Sequence, residues 1–288
     1  MMALAAFRSW LYVPGDRPDR FPKAASAGAD VVVCDLEDAV PSAKKADART
    51  AVRRWLKTHR AAVRVNAADT AWHDEDIAAI AGTPGLSTLV LPKAQHRDQI
   101  ARLSTRLGCR TPVVPLVETA EGIVNASDIA AGPNVATLAF GSLDYALDLG
   151  LHGRRDEDVF LFPRSVLVLA CRVAGLAAPI DGVTAAITDT EAVRRDSNRA
   201  AALGFGGKQC IHPNQVGAVN TAFTPSAGAI DHAQRIVDAA RAAHGSAVQL
   251  DGQMIDKPRI EQAYRVLAAA AGMAGRSQNK LSEKETAS

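Results

Sequence analysis

Glu118 and Asp144 each close an apolar run, VVPLVE and ATLAFGSLD. If the two runs are neighbouring parallel strands, the carboxylates converge at one edge of the sheet. Two carboxylates are enough for a Mg²⁺ that keeps its other positions for water or substrate. No His accompanies them, and an oxygen-only donor set points to Mg²⁺ or Mn²⁺ rather than to zinc. The same positions also suit helix capping, and spacing alone leaves both readings open. Asp35, Glu37 and Asp38 crowd three acids into four residues after VVVCD. Such neighbours repel unless a positive group sits among them, so they either bind metal or support metal-bound water and orient Arg64; Asp38 also suits a plain turn. Arg64 and Asn66, two apart on a strand, share one face. A guanidinium at a sheet rim grips a carboxylate through two parallel hydrogen bonds, which implies a small anionic substrate or an ion pair with Asp35 or Glu37. GFGGKQCIHP, residues 204–213, sets glycines, Lys208 and His212 around a further run. Those glycines permit close backbone approach to a ligand, although the spacing is not that of an ATP-binding loop and a lone His is often structural.

These groups meet on one surface only if the runs are parallel strands with crossover helices between them. Eight candidate strands lie near 9–13, 31–35, 62–66, 88–92, 113–117, 136–140, 178–181 and 208–211, and helical patterns cover 43–58, 96–108, 119–132, 156–175 and 189–204. Eight is the number that closes, so the fold expected is an α/β (β/α)₈ TIM barrel over residues 1–222. After the eighth strand the pattern continues as helix without another strand. A helical extension is expected over 223–272, acting as lid or oligomer contact, and a disordered polar tail over 273–288.

Composition narrows the function classes. The 288 residues suit one barrel, 48% hydrophobic content supplies a core, and a net charge of +2 with mixed signs gives no nucleic-acid footprint. Nothing approaches the roughly 20 apolar residues of a membrane span, and the first residues lack the pattern of a secretory signal, so a cytoplasmic location with no membrane partner is expected. Cys34, Cys109, Cys171 and Cys210 form no CxxC pair; buried, reduced thiols are expected rather than a zinc site or disulfides.

Taken in order, LYVPGDRP, DLEDAV, VRVN, LPK, VETAEG, FGSLDYALDLG, PIDGV and GFGGKQCIHPNQ resemble the citrate lyase β-subunit-like branch of the HpcH/HpaI aldolase and citrate lyase family, over about residues 8–270. The resemblance implies the (β/α)₈ barrel and Mg²⁺ held by Glu118 and Asp144. It implies substrate binding by Arg64 and Glu118, and contacts of Tyr12, Lys23, Ile211 and His212 with a CoA thioester. GQMIDKP resembles the C-terminal motif of malyl- and citramalyl-CoA lyases, in which Asp256 would be the acid/base delivered to a neighbouring subunit's site. The implied assembly is a homo-oligomer, a trimer or dimer of trimers, with sites shared between subunits. Leu143 departs from many relatives, which carry an acid there, and that puts one supporting contact in doubt. The reaction implied is cleavage or formation of a 3-hydroxyacyl-CoA, with acetyl-CoA and a small 2-oxoacid as the other partners. Backbone N–H groups of Gly141, Ser142 and Leu143 would hold the oxoacid carboxylate. A malyl-CoA-type thioesterase and a citrate lyase β subunit acting on a carrier-bound citryl thioester are the alternatives.

Overall fold

The computed structural model describes residues 7–108, 111–151, 157–242 and 248–285, so Cys109 lies outside the described residues. Two compact units are present, residues 1–223 and 224–288.

In the first unit eight strands form a closed parallel barrel: β1 Ser9–Pro14, β2 Val31–Asp35, β3 Ala61–Arg64, β4 Leu86–Leu91, β5 Val113–Val117, β6 Ala139–Phe140, β7 Ile180–Asp181 and β8 Gly207–Cys210. β8 pairs with β1 to close the ring, Trp10 standing opposite Gln209. Strand side chains alternate between two faces. One set, including Trp10, Val33, Ala62, Val90, Leu116, Ala139 and Ile180, fills the barrel interior. The other, including Leu11, Cys34, Val63, Leu89, Val117 and Cys210, packs beneath the helices. This alternation decides the site. Continuing the inward set by two residues reaches Tyr12, Asp35, Arg64, Glu118, Gly141 and Gln209, all at or near the C-terminal rim.

The helices between the strands follow the expected pattern with local differences. The stretch read as one helix over 119–132 is two, Ala120–Val124 and Ala126–Ala130, separated at Asn125. Short helices Phe21–Ser26 and His73–Ile80 were not anticipated; the first has only six residues and the second opens on His, Asp, Glu and Asp, so neither carries a long apolar stripe. Among the described residues no helix is long and apolar enough to cross a membrane.

The second unit also departs from the expectation of helix alone. Between helices Ala227–Ala242 and Lys257–Glu285 lies an antiparallel hairpin, β9 Val248–Leu250 and β10 Gln253–Ile255. Its two-residue turn, Asp251 and Gly252, has φ of 50° and 76°, the left-handed backbone that a tight hairpin needs and that the Asp-Gly pair favours. Ala233, Ile236, Val237, Ile255 and Ala263 make its small core. The last helix continues to Glu285, beyond residue 272 where a disordered tail was expected; Gln, Lys, Leu and Glu are good helix formers.

Candidate active site

Arg64 is clamped from one side by Asp35 through two parallel hydrogen bonds, Nε to Oδ1 at 2.7 Å and Nη2 to Oδ2 at 2.6 Å. Its third nitrogen stands 3.0 Å from Glu37 Oε2 and 3.7 Å from Asp38 Oδ2, and the guanidinium lies 5.2 Å from the centre of the Tyr12 ring. Asp35 also accepts from the backbone N–H groups of Glu37 and Ala39. Burial alone would raise the Asp35 carboxyl, but Arg64 and these donors outweigh it and hold it below the usual range. Burial likewise works against the Arg64 charge, and Asp35 with Glu37 reverses it. Glu37 is placed differently: burial, opposed by Arg64 and reinforced by Asp38 and Asp35, pushes it up to about 7.

The loop carrying Glu37 is fixed from behind by Lys45, a residue that the sequence reading passed over. Its ammonium donates to Leu36 O, Glu37 O and Asn66 Oδ1 at 2.7, 2.8 and 2.6 Å, using all three hydrogens. Asn66 does not share the Arg64 face as expected. β3 ends at Arg64, and the Asn66 amide turns to Leu36 O and Asp76 Oδ2 in the buried support network.

Glu118 follows β5 with Oε1 accepting from the Lys93 backbone N–H at 2.8 Å. Lys93 has φ of 48°, and its ammonium lies 3.4 Å from Glu37 Oε1. Neither Glu118 nor Asp144 occupies a cap position. Thr119 Oγ1 accepts from Gly122 N at 3.1 Å, and Gly141 precedes the helix Ser142–Asp148. Burial raises the Glu118 carboxyl well above the ordinary range, and the charges of Glu37 and Asp144 raise it further.

A cavity of about 350 Å³ gathers Tyr12, Asp35, Asp38, Arg64, Glu118, Gly141, Ser142, Leu143, Asp144 and Ile211, together with Leu116, Val183 and Gln209. A second, of about 320 Å³, is lined by Tyr12, Lys23, Ile211 and His212 and also by Arg20. The two share Tyr12, Pro14 and Ile211. Arg20 was missed; standing three residues before Lys23, one helical turn away, it could have been found by that spacing. Glu37 lines neither cavity and acts behind Arg64. His212 also caps the helix Pro213–Ala222, its Nδ1 accepting from Asn214 N at 3.2 Å. Asp256 belongs to the second unit, where Oδ1 accepts from Arg259 N at 3.2 Å at the start of the last helix.

Two expectations about the GFGG stretch change. A Cβ at Gly207 would collide with the backbone carbonyls of Phe7 and Arg8, so this glycine allows β8 to approach the start of β1 rather than a ligand. Lys208 faces outward and donates to Asp181 Oδ2 at 3.0 Å and Gly182 O at 2.6 Å. Cys34 and Cys210 are buried, and burial pushes both thiols up to about 12, which fits packing rather than nucleophilic chemistry. Among the described residues no group of three or more His, Cys, Asp or Glu is arranged to hold a metal; Glu118 and Asp144 are a pair.

Fold and site define a (β/α)₈ barrel whose strand C-termini present an acid-clamped arginine beside a buried carboxylate. The chain belongs to the HpcH/HpaI aldolase/citrate lyase family, whose model matches residues 8–213. It is 40% identical over 272 residues to a citrate lyase subunit beta-like protein of Mycobacterium tuberculosis, covering 92% of this chain and 96% of the relative. It is 34% identical over 279 residues to a (3S)-malyl-CoA thioesterase of Cereibacter sphaeroides, covering 93% and 96%. Among solved structures, protein CitE of M. tuberculosis in complex with magnesium, acetoacetate and coenzyme A aligns with a TM-score of 0.82 at 38% identity, over 93% of this chain and 99% of that one.

Proposed function

We propose that the protein is a Mg²⁺-dependent carbon-carbon lyase that cleaves or forms a 3-hydroxyacyl-CoA of the malyl- or citramalyl-CoA type, with acetyl-CoA and a small 2-oxoacid as the other partners. The observation that carries this reading is the charge at one cavity. Asp35, Asp38, Glu118 and Asp144 line it, with Glu37 just behind, and these five carboxylates outnumber the three cations that interact with them, Arg64, Lys93 and Lys45; Glu118 is buried with its carboxyl driven towards the neutral form. A divalent cation fits that imbalance, and an all-oxygen donor pair suits Mg²⁺, with Mn²⁺ as a substitute. Glu118 and Asp144 would hold it. When bound, such an ion supplies Lewis-acid polarisation of substrate oxygens.

The remaining tasks fall to the chain itself. Arg64, pre-oriented by Asp35, grips an anionic oxygen and neutralises charge as the carbon-carbon bond breaks. Of the three expected backbone donors, Gly141 N already donates to Val117 O at 3.0 Å. Ser142 and Leu143, in the first helical turn, keep N–H groups for the oxoacid carboxylate. Tyr12 and Ile211, common to both cavities, would carry the thioester between them, with Lys23, Arg20 and His212 towards the CoA end. In cleavage the acyl hydroxyl gives up its proton and the acetyl carbon gains one, the reverse holding for condensation, and Asp256 of a neighbouring copy would move that proton, in a trimer or dimer of trimers.

The malyl-CoA thioesterase relative favours a second reading, in which water attacks the thioester carbonyl on the same site. Incubation with malyl-CoA and Mg²⁺ separates the two. Acetyl-CoA and glyoxylate are expected; free malate and CoA with neither of those products would refute the lyase reading. Robust turnover of free CoA thioesters by the isolated chain would also count against a β subunit that needs a carrier-bound substrate.

A further inference from the structure

Gln209 is the polar side chain of β8 that faces into the barrel. Its neighbours turn outward, Lys208 onto Asp181 and Cys210 into the layer beneath the helices. The residue is 5% exposed and lines the larger cavity beside Leu116, Phe140 and Val183. Its amide nitrogen donates to Phe140 O at 2.9 Å and Asp181 O at 3.4 Å. Both N–H hydrogens are thereby used, and a flipped amide would set its carbonyl against two others, so the orientation is fixed. Among the described residues nothing donates to Oε1, which is left as a neutral acceptor at the cavity. Of the carboxylates that line the cavity, Asp35 is committed to Arg64 and two backbone N–H groups, Asp38 is largely exposed and stands 3.7 Å from Arg64, and Glu118 and Asp144 would hold the cation.

We propose that Gln209 Oε1 accepts the hydroxyl hydrogen of the bound acyl group. It is then a specificity-determining residue that favours a hydroxyacyl thioester over its deoxy counterpart, an inference that rests on the hydroxyacyl-CoA reading above. A neutral amide suits the task because it orients a hydroxyl without removing its proton.

The test uses unreactive thioether analogues of CoA, one bearing the hydroxydicarboxylate and one its deoxy form, titrated by calorimetry into the full chain with Mg²⁺. The unsubstituted chain should prefer the hydroxy analogue, and Gln209→Met should reduce that preference about tenfold, the effect of one neutral hydrogen bond. A loss of affinity common to both analogues, with the preference intact, overturns the proposal and leaves Gln209 only its bonds to Phe140 and Asp181. A fluoro analogue keeps the question open to test if the variant fails to fold, since fluorine cannot donate. On the unsubstituted chain it must bind no better than the deoxy form, and binding equal to the hydroxy analogue refutes the proposal. Failure of the unsubstituted chain to bind any analogue would overturn the CoA reading itself, a result distinct from an unchanged preference.

Discussion

Gly141→Ala is a direct test of how the site is built. Gly141 has φ of −97°, which any residue adopts, so alanine adds no backbone strain and the outcome is steric. A Cβ there would fall closer than 3.0 Å to both Oε2 and Cβ of Glu118, whereas ordinary contact begins at 3.4 Å; the atoms must part by more than 0.4 Å, the difference between those two limits. The carboxylate could swing away by rotation, but Glu118 Cβ is fixed to the backbone. β5 and β6 must therefore separate where Val117 pairs with Phe140 and where Gly141 N donates to Val117 O. Overpacking of this kind costs about 1–3 kcal/mol of stability. Because a misplacement of about 1 Å at a reacting centre can cost about 100-fold in rate, a shift of this size should lower turnover by about tenfold or more and weaken Mg²⁺ binding. Urea unfolding, Mg²⁺ titration and the rate with malyl-CoA give the three readouts. Unchanged Mg²⁺ affinity and unchanged turnover in a folded Gly141→Ala protein would show that the Glu118 carboxylate does not depend on this cradle.

Asp35→Asn leaves the buried Arg64 guanidinium without its bidentate partner, and breaking such a pair should cost about 3–5 kcal/mol in denaturant unfolding. Glu37 has its folded value near 7 against an ordinary 4.5, so its protonated form stabilises the fold below pH 4.5 and that contribution is lost as pH rises through about 7; in Mg²⁺-free buffer, Glu37→Gln should flatten stability over this window, and an unchanged pH profile would refute the assignment. Asp256→Asn should abolish turnover while leaving Mg²⁺ affinity intact. Activity recovered on mixing Asp256→Asn with Arg64→Ala subunits would establish sharing between chains, and no recovery would argue that each site is built from one.

The barrel was legible because a strand buried on both faces leaves a short apolar run that needs no long-range information to recognise. All eight runs coincide with strands, yet β6 and β7 have only two residues each where five and four were expected. Thr137 explains part of this: its hydroxyl lies 3.0 and 2.9 Å from Ala177 O and Ala178 O and shares its one hydrogen between them, a side-chain substitute for a ladder bond. Gln209 does the same for Phe140 O and Asp181 O. An apolar run marks burial, which extends further than the ladder does.

The site was legible to the extent that strand parity fixes direction. Asp35, Arg64, Glu118 and Gly141 all continue inward sets, so the residues that end the runs meet at one cavity. Parity misplaced Asn66 because β3 stops two residues earlier, and a rule of alternation lapses where the strand does. Lys45 was hidden for a different reason. In AKKADARTAVRRW it reads as one more cation on a solvated helix face, and only the packing of that helix against residues 36–37 turns it inward, to 6% exposure. Asp256 obeys neither rule. It follows a small hairpin outside the barrel, where neither strand direction nor helical period ties it to the cavity, and within its own unit it does the work of a helix cap. Its chemical assignment rests on the resemblance of GQMIDKP, and for that reason mixed subunits test it more directly than any change made within the barrel.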